Sequence, residues 1–222
     1  MKNITLKTTN KMEDAAEFIT QAILRQLNTG KKVLFFVTGG SSVAVGAEVA
    51  EFLKNHDLKN LTVMLTDERY GPVGHPDSNW SQLLQKGFDL PQAKLVPVLT
   101  GDSSIITTEK FNKNLEEEFK NADYKIGLFG IGKDGHIAGN LPGSESVISK
   151  DLAFGYDTQA FYRITITPIA IEKLDEAVVW MQGSDKWPVI KDLEEKDLSI
   201  IEQPAQVLKK VPLLTIFSDY QK

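Results

Sequence analysis

Lys125–Ser144, KIGLFGIGKDGHIAGNLPGS, is the stretch that decides how this chain folds. Ile126–Ile131 is nearly unbroken in apolar character, the pattern of a strand covered on both faces in a parallel sheet. Gly130, Gly132 and Gly135 follow, and they permit backbone conformations and close approaches that a Cβ forbids. Asp134 and His136 are therefore delivered just past the carboxyl end of a buried strand, where ligands of open α/β sheets bind. An imidazole there is a candidate proton carrier, because its ordinary pKa of about 6.5 lies near neutrality. The turn by itself leaves a second reading open, in which His136 only satisfies a backbone carbonyl.

The same strand-then-polar-turn pattern recurs on both sides of that stretch. Val33–Val37 is a continuous apolar run that leads into Gly39-Gly40-Ser41-Ser42, with Val45, Val49, Phe52 and Leu53 on one helical face beyond it. Leu61–Leu65 ends in Asp67-Glu68-Arg69, and Ala177–Met181 ends in Gly183-Ser184-Asp185-Lys186. Between them the spacing predicts an edge strand at Ile4–Thr8, a helix capped by Asn10, a helix opening at Ser78-Asn79, a short strand at Leu95–Leu99 and a helix over Thr107–Phe119. Ser144–Thr158 reads as a surface loop or short covering element. Tyr162–Thr167 alternates cleanly as a strand, Pro204–Lys209 is a short helix, and Val211–Phe217 is the last strand. This alternation predicts one domain over 1–222, a three-layer, Rossmann-like α/β fold with a mostly parallel sheet flanked by helices.

Composition bounds the function. The chain has 222 residues, a net charge of -5, 41% hydrophobic and 25% charged residues, and no cysteine. A general nucleic-acid binder would show a basic face, so nucleic acid is not expected as a partner. An anionic small molecule remains open, since a few cations in a cleft suffice to bind it. The lack of cysteine excludes disulfides, thiolate metal sites and a cysteine nucleophile. The N-terminal stretch has no long apolar run, so neither a signal peptide nor a membrane span is expected, and the expected location is the cytoplasm. His56, His75 and His136 lack zinc-ligand spacing, so no metal is expected. The oligomeric state expected is a monomer or small homo-oligomer.

In a parallel sheet the strand ends share one edge, so the four polar clusters can meet. Gly39–Ser42, between strand and helix, suits an anion on backbone N–H groups, though a plain structural turn explains its two glycines equally well. Arg69 has the rigid donor fork that matches a carboxylate, phosphate or oxyanion. Arg163 and Lys186 become relevant if Gly39–Ser42 holds a phosphate, because flanking cations strengthen such a site.

Through these residues the chain resembles the 6-phosphogluconolactonase family, itself related to the glucosamine-6-phosphate deaminases. The segments that carry the resemblance are VTGGSS (37–42), TDERYGPVGHPDSN (66–79), GIGKDGHIAGNLPGS (130–144), RITIT (163–167) and GSDK (183–186). The resemblance implies hydrolysis of 6-phosphogluconolactone to 6-phosphogluconate in the oxidative pentose phosphate pathway, with no cofactor. It implies that His136 transfers the proton, Asp134 orients it, Asp67 and Arg69 line the sugar site, and Gly39, Gly40, Ser41, Ser42, Arg163 and Lys186 take the phosphate. The glycine loop departs from the family's usual Ser-Thr-Pro, reading Ser41-Ser42-Val43. The related deaminases carry HIAFNEPGS and Asp-Glu-Tyr, whereas this chain has Leu141 at the glutamate and Arg69 at the tyrosine. Two alternatives stand beside the lactonase. One is a glucosamine-6-phosphate deaminase or sugar-phosphate isomerase, with Asp67 as base, and the other is a non-catalytic sugar-phosphate-binding regulator.

Overall fold

Apolar runs that are hydrophobic throughout need cover on both faces, and in the computed structural model, which describes residues 4–221, they receive it. In chain order the strands are β1 (Ile4–Thr8), β2 (Val33–Val37), β3 (Leu61–Leu65), β4 (Asp67–Arg69), β5 (Lys94–Val96), β6 (Tyr124–Phe129), β7 (Ala153–Asp157), β8 (Tyr162–Ile166), β9 (Glu176–Met181) and β10 (Leu213–Ser218). The α-helices are α1 (Met12–Leu27), α2 (Val43–Leu53), α3 (Asn79–Gln85), α4 (Ser104–Asn121), α5 (Pro168–Ile171) and α6 (Trp187–Glu195). Seven strands form one sheet in the order β1-β10-β9-β6-β2-β3-β5, and every pairing in it is parallel.

All five residues of β2 are buried. Successive side chains of a strand point to opposite faces, and here they meet opposite helical layers. Val37 lies against Gly46 of α2, where an added Cβ would come within 2.5 Å of its Cγ2, while Phe36 packs on Phe119 of α4 at 5.6 Å between ring centroids. Each such side chain contributes roughly 1.5–3 kcal/mol through burial. The α/β architecture with a mostly parallel sheet is thus the one expected from the alternation of strands and helices.

The expected strand at Tyr162–Thr167 is present as β8, and four local features depart from the sequence reading or lie beyond it. β4, β8 and β7 form a second, antiparallel sheet in the order β4-β8-β7, so the RITIT strand lies outside the parallel sheet. The stretch read as a surface loop contains β7 and a 3-10 turn at Glu145–Ile148. Phe52 is 37% exposed, off the buried face formed by Val45, Val49 and Leu53. Lys11, not Asn10, occupies the N-cap of α1, and the Thr9 hydroxyl accepts its N–H at 3.1 Å. No helix among the described residues is long and apolar enough to cross a membrane.

The two sheets join at Thr66. Its N–H donates to the Val37 carbonyl (2.9 Å), and its own carbonyl accepts the Ile166 N–H (2.8 Å). The chain therefore steps from β3 directly into β4, which brings the small sheet to the carboxyl edge of the large one.

Candidate active site

β4 is only three residues long, and its alternation determines which side chains face the cleft. Asp67 and Arg69 share one face, and across the antiparallel pair they stand opposite Thr165 and Arg163. Glu68 points the other way and is fully buried. Its carboxylate accepts the N–H groups of Arg69 (2.7 Å), Asn79 (2.6 Å) and Trp80 (3.1 Å) and the Ser78 hydroxyl (2.8 Å). Burial pushes the Glu68 carboxyl above its ordinary range, against the pull of those four donors. The arrangement fixes the start of α3 and the backbone that carries Arg69.

The glycine turn after β6 is shaped around one imidazole. The Gly132 N–H donates to the His136 carbonyl (3.0 Å), and the Gly135 N–H to the Gly132 carbonyl (2.9 Å). His136 Nδ1 lies 2.6 Å from Asp134 Oδ1, which also accepts the His136 backbone N–H at 3.2 Å. A Cβ on Gly132 would sit 2.2 Å from both Nδ1 and Cε1 of that ring, so the ring occupies the space a side chain would take. Burial works against the charge on Asp134, but the His136 N–H and imidazole outweigh it and hold the carboxyl below the ordinary carboxylate range. With Asp134 ionised, Nδ1–H is the donor to it, and Nε2 is the ring nitrogen that this bond leaves unengaged.

Two arginines line the same cleft. Arg163 is mostly buried. Its Nη1 lies 3.8 Å from Asp67 Oδ2, and its buried Nε has no hydrogen-bond partner among the described residues. Gly139 leaves room for its stem, since a Cβ there would come 2.7 Å from Arg163 Cδ. Tyr156, paired with Arg163 on β7, donates its hydroxyl to the Gly139 carbonyl at 2.6 Å. Arg69 donates to the Asp77 carbonyl (3.2 Å) and lies 5.3 Å from the centroid of the Phe161 ring.

A cleft of about 400 Å³ collects these groups, and Gly39, Gly40, Ser41, Asp67, Arg69, His136, Arg163 and Lys186 all line it. The four clusters therefore meet, as the parallel topology requires. Asp134 reaches the cleft only through His136. Ser42 does not face it, because its side chain is fully buried and its hydroxyl points to the Trp180 carbonyl at 3.4 Å. His75 is a brace, donating to the Arg69 carbonyl at 2.9 Å. Among the described residues no three His, Asp or Glu side chains are grouped to hold a metal ion.

Sequence reading alone missed Asn79 as a wall of the cleft. Its Nδ2 donates to the Asp67 carbonyl at 2.9 Å, and a Cβ on Gly39 would fall 2.1 Å from its Oδ1. Asn79 thus ties the glycine loop after β2 to β4. The signal was present as the last residue of the Asp77-Ser78-Asn79 helix start, but a capping role already accounts for that motif.

Known proteins resemble this chain in sequence and in fold. The family described as glucosamine-6-phosphate isomerases/6-phosphogluconolactonase matches residues 7–215. The chain is 28% identical over 206 residues to a 6-phosphogluconolactonase of Borreliella burgdorferi, covering 84% of this chain and 83% of that protein. It is 27% identical over an alignment of 237 residues to a glucosamine-6-phosphate deaminase of Lactobacillus delbrueckii subsp. bulgaricus, covering 99% and 97%. The crystal structure of a 6-phosphogluconolactonase from Thermotoga maritima superposes with a TM-score of 0.82 at 19% identity over 97% of this chain and 98% of that one, which is a likeness of fold.

Proposed function

Because this chain belongs to the glucosamine-6-phosphate isomerase/6-phosphogluconolactonase family, we propose that it hydrolyses 6-phospho-D-glucono-1,5-lactone to 6-phosphogluconate in the oxidative pentose phosphate pathway. The observation that carries the reading is one cleft lined both by an Asp134-oriented imidazole and by Arg163 and Lys186. A proton carrier and cations in one cleft suit a small sugar that carries both a lactone carbonyl and a phosphate.

In the reaction, His136 Nε2 takes a proton from water as the water oxygen bonds to the lactone carbon. The carbonyl oxygen becomes an oxyanion, stabilised by Arg69 and by backbone N–H groups. The intermediate then expels the ring oxygen, which receives the proton from His136 and leaves as a hydroxyl. Such acid–base assistance contributes about 10²–10⁴-fold. Asp67 lines the sugar site. The phosphate lies against Gly39, Gly40 and Ser41 with Arg163 and Lys186, and its binding energy orients the carbonyl. Ser42 supports the loop from behind.

Leu141 and Arg69 favour lactonase over deaminase, since the deaminase pattern has glutamate and tyrosine there. The deaminase reading keeps support from the Lactobacillus relative, which aligns over almost the whole chain. The enzyme is placed in the cytoplasm, acting as a monomer or small homo-oligomer on a small molecule, with neither nucleic acid nor membrane as partner. Paired assays test the reading. Lactone hydrolysis above the spontaneous rate, abolished to within about 10²–10⁴-fold by His136→Ala, is the expected result. Ammonia release from glucosamine 6-phosphate without lactone hydrolysis would replace it with the deaminase.

A further inference from the structure

Lys186 lines the cleft, yet among the described residues no carboxylate lies within ion-pair distance of it. What holds it is the backbone of the 3-10 turn Ser184–Lys186, and that turn is gripped from outside the cleft. Gly183, which opens the turn, has φ +103, a conformation side-chain-bearing residues rarely adopt. Its N–H is shared between Asp219 Oδ1 (3.1 Å) and Oδ2 (3.2 Å). Trp187, which closes the turn, donates its indole N–H to Asp219 Oδ1 at 3.0 Å. One carboxylate therefore clamps both ends of the segment that carries Lys186.

The clamp stands on rigid ground. Asp219 directly follows β10, where Ser218 pairs with Met181 of β9, the strand that leads into Gly183. Tyr220 packs against the Trp187 ring at 5.8 Å between centroids. The Trp187 indole N–H, helped by the Gly183 N–H, holds the Asp219 carboxyl below the ordinary carboxylate range against the opposing effect of burial. The carboxylate is thus anionic, and both bonds are charge-assisted.

We propose that Asp219 is the positioning residue of the phosphate subsite, fixing the Gly183–Trp187 turn so that Lys186 is preorganised to meet the substrate phosphate. The inference rests on the lactonase reading and on the assignment of Lys186 to the phosphate. It extends that reading to a residue outside the cleft, because Asp219 touches neither substrate nor cleft and acts only through the turn. A turn that must order on binding loses part of the affinity its lysine supplies.

Steady-state kinetics on the phosphorylated lactone and on unphosphorylated D-glucono-1,5-lactone test this with Lys186→Ala, Asp219→Ala, Trp187→Phe and the double variant Lys186→Ala/Asp219→Ala. Lys186→Ala is expected to raise KM for the phosphorylated lactone about 10- to 100-fold, the effect of one charge-assisted bond. Asp219→Ala is expected to raise it about 3- to 10-fold, with kcat and the turnover of the unphosphorylated lactone within about twofold. The double variant is expected to match Lys186→Ala, since the clamp has no purpose without its lysine. Trp187→Phe keeps the ring and removes one bond, giving a smaller rise of the same kind even if Asp219→Ala fails to fold. If Lys186→Ala leaves KM unchanged, the phosphate assignment itself falls. If Lys186→Ala raises KM while Asp219→Ala and Trp187→Phe do not, or if the double variant is multiplicatively worse, the positioning role is overturned and the assignment of Lys186 survives.

Discussion

Gly132→Ala separates the acid–base chemistry from every charge in the cleft. The added Cβ would lie 2.2 Å from His136 Nδ1 and Cε1 and 2.6 Å from Asp134 Oδ1, whereas ordinary contact begins at 3.4 Å. The imidazole must therefore retreat by about 1.2 Å, and the 2.6 Å bond to Asp134 is lost with it. A displacement of about 1 Å in a catalytic group costs on the order of 10² in rate, and loss of general-base help costs 10²–10⁴. We expect kcat for lactone hydrolysis to fall about 100-fold or more, near 2.7 kcal/mol in the barrier. KM should stay within about threefold, because the added Cβ meets His136 and Asp134 and none of the cations. The ring is about one-third exposed and can swing toward solvent, so the thermal midpoint should move by no more than about 2 °C. A pH-stat assay with the spontaneous rate subtracted measures the first two quantities, and calorimetry the third. Gly135→Ala is the contrast: its φ is +78 and the new Cβ would meet Gln203 Cγ at 2.4 Å, so it should lose stability as well as activity. Gly132→Ala with wild-type kcat would refute the assignment of His136, and a kcat loss matched by an equal loss of folded protein would refute the geometric argument.

Gly39→Ala should act at the glycine loop instead. Its Cβ would collide with the Asn79 amide at 2.1 Å and push it off the Asp67 carbonyl, raising KM for the phosphorylated lactone about tenfold, as loss of a charge-assisted contact would, with a smaller effect on kcat. Tyr124→Phe probes the amino-terminal end of the central strand β6, where the buried phenol donates to the buried Glu176 carboxylate. Removing the donor leaves that carboxylate unsatisfied and should cost about 1–3 kcal/mol in urea unfolding. Burial first, then the hydrogen bond to Glu176, raises the Tyr124 pKa, so the folded state keeps a proton that the unfolded chain releases above about pH 10. Wild-type stability should therefore fall as pH rises past that value, and the Phe variant should lack that component of the slope.

The fold was legible because the central strands advertise themselves. VLFFV, LTVML, the run from Ile126 and AVVWM have no polar face, and only a doubly covered parallel sheet accommodates such segments. RITIT carried the opposite signal, a clean alternation, which is the mark of an antiparallel strand with one polar face, and it belongs to the small sheet. β4 had no signal of its own. Asp67-Glu68-Arg69 looks like a charge run, and it is extended only because β8 pairs with it. The side chains that face the cleft were legible wherever a strand end met a polar turn. Asn79, Gly132 as a pocket for the ring, and Asp219 were not, since each acts through a contact between segments distant in sequence. Ser42 shows the converse limit: the motif marks the loop, but only packing decides that its hydroxyl turns inward.

The small sheet also explains how an acidic chain assembles a cationic cleft. Arg69 and Arg163 stand directly opposite each other on adjacent antiparallel strands, a placement of like charges that ordinarily destabilises a sheet. Only part of that repulsion is offset within the protein, by Asp67 3.8 Å from Arg163 and by the Asp77 carbonyl on Arg69. The Nε of Arg163 is buried with no partner among the described residues, and such a donor costs stability until something accepts its hydrogen bond or its charge. A fold that lines one cleft with Arg69, Arg163 and Lys186 concentrates positive charge there. On the proposed reading an anionic substrate relieves that repulsion, so part of its binding energy is set before it arrives. The same arrangement ranks possible substrates, because a neutral sugar lactone of identical shape would leave the repulsion in place.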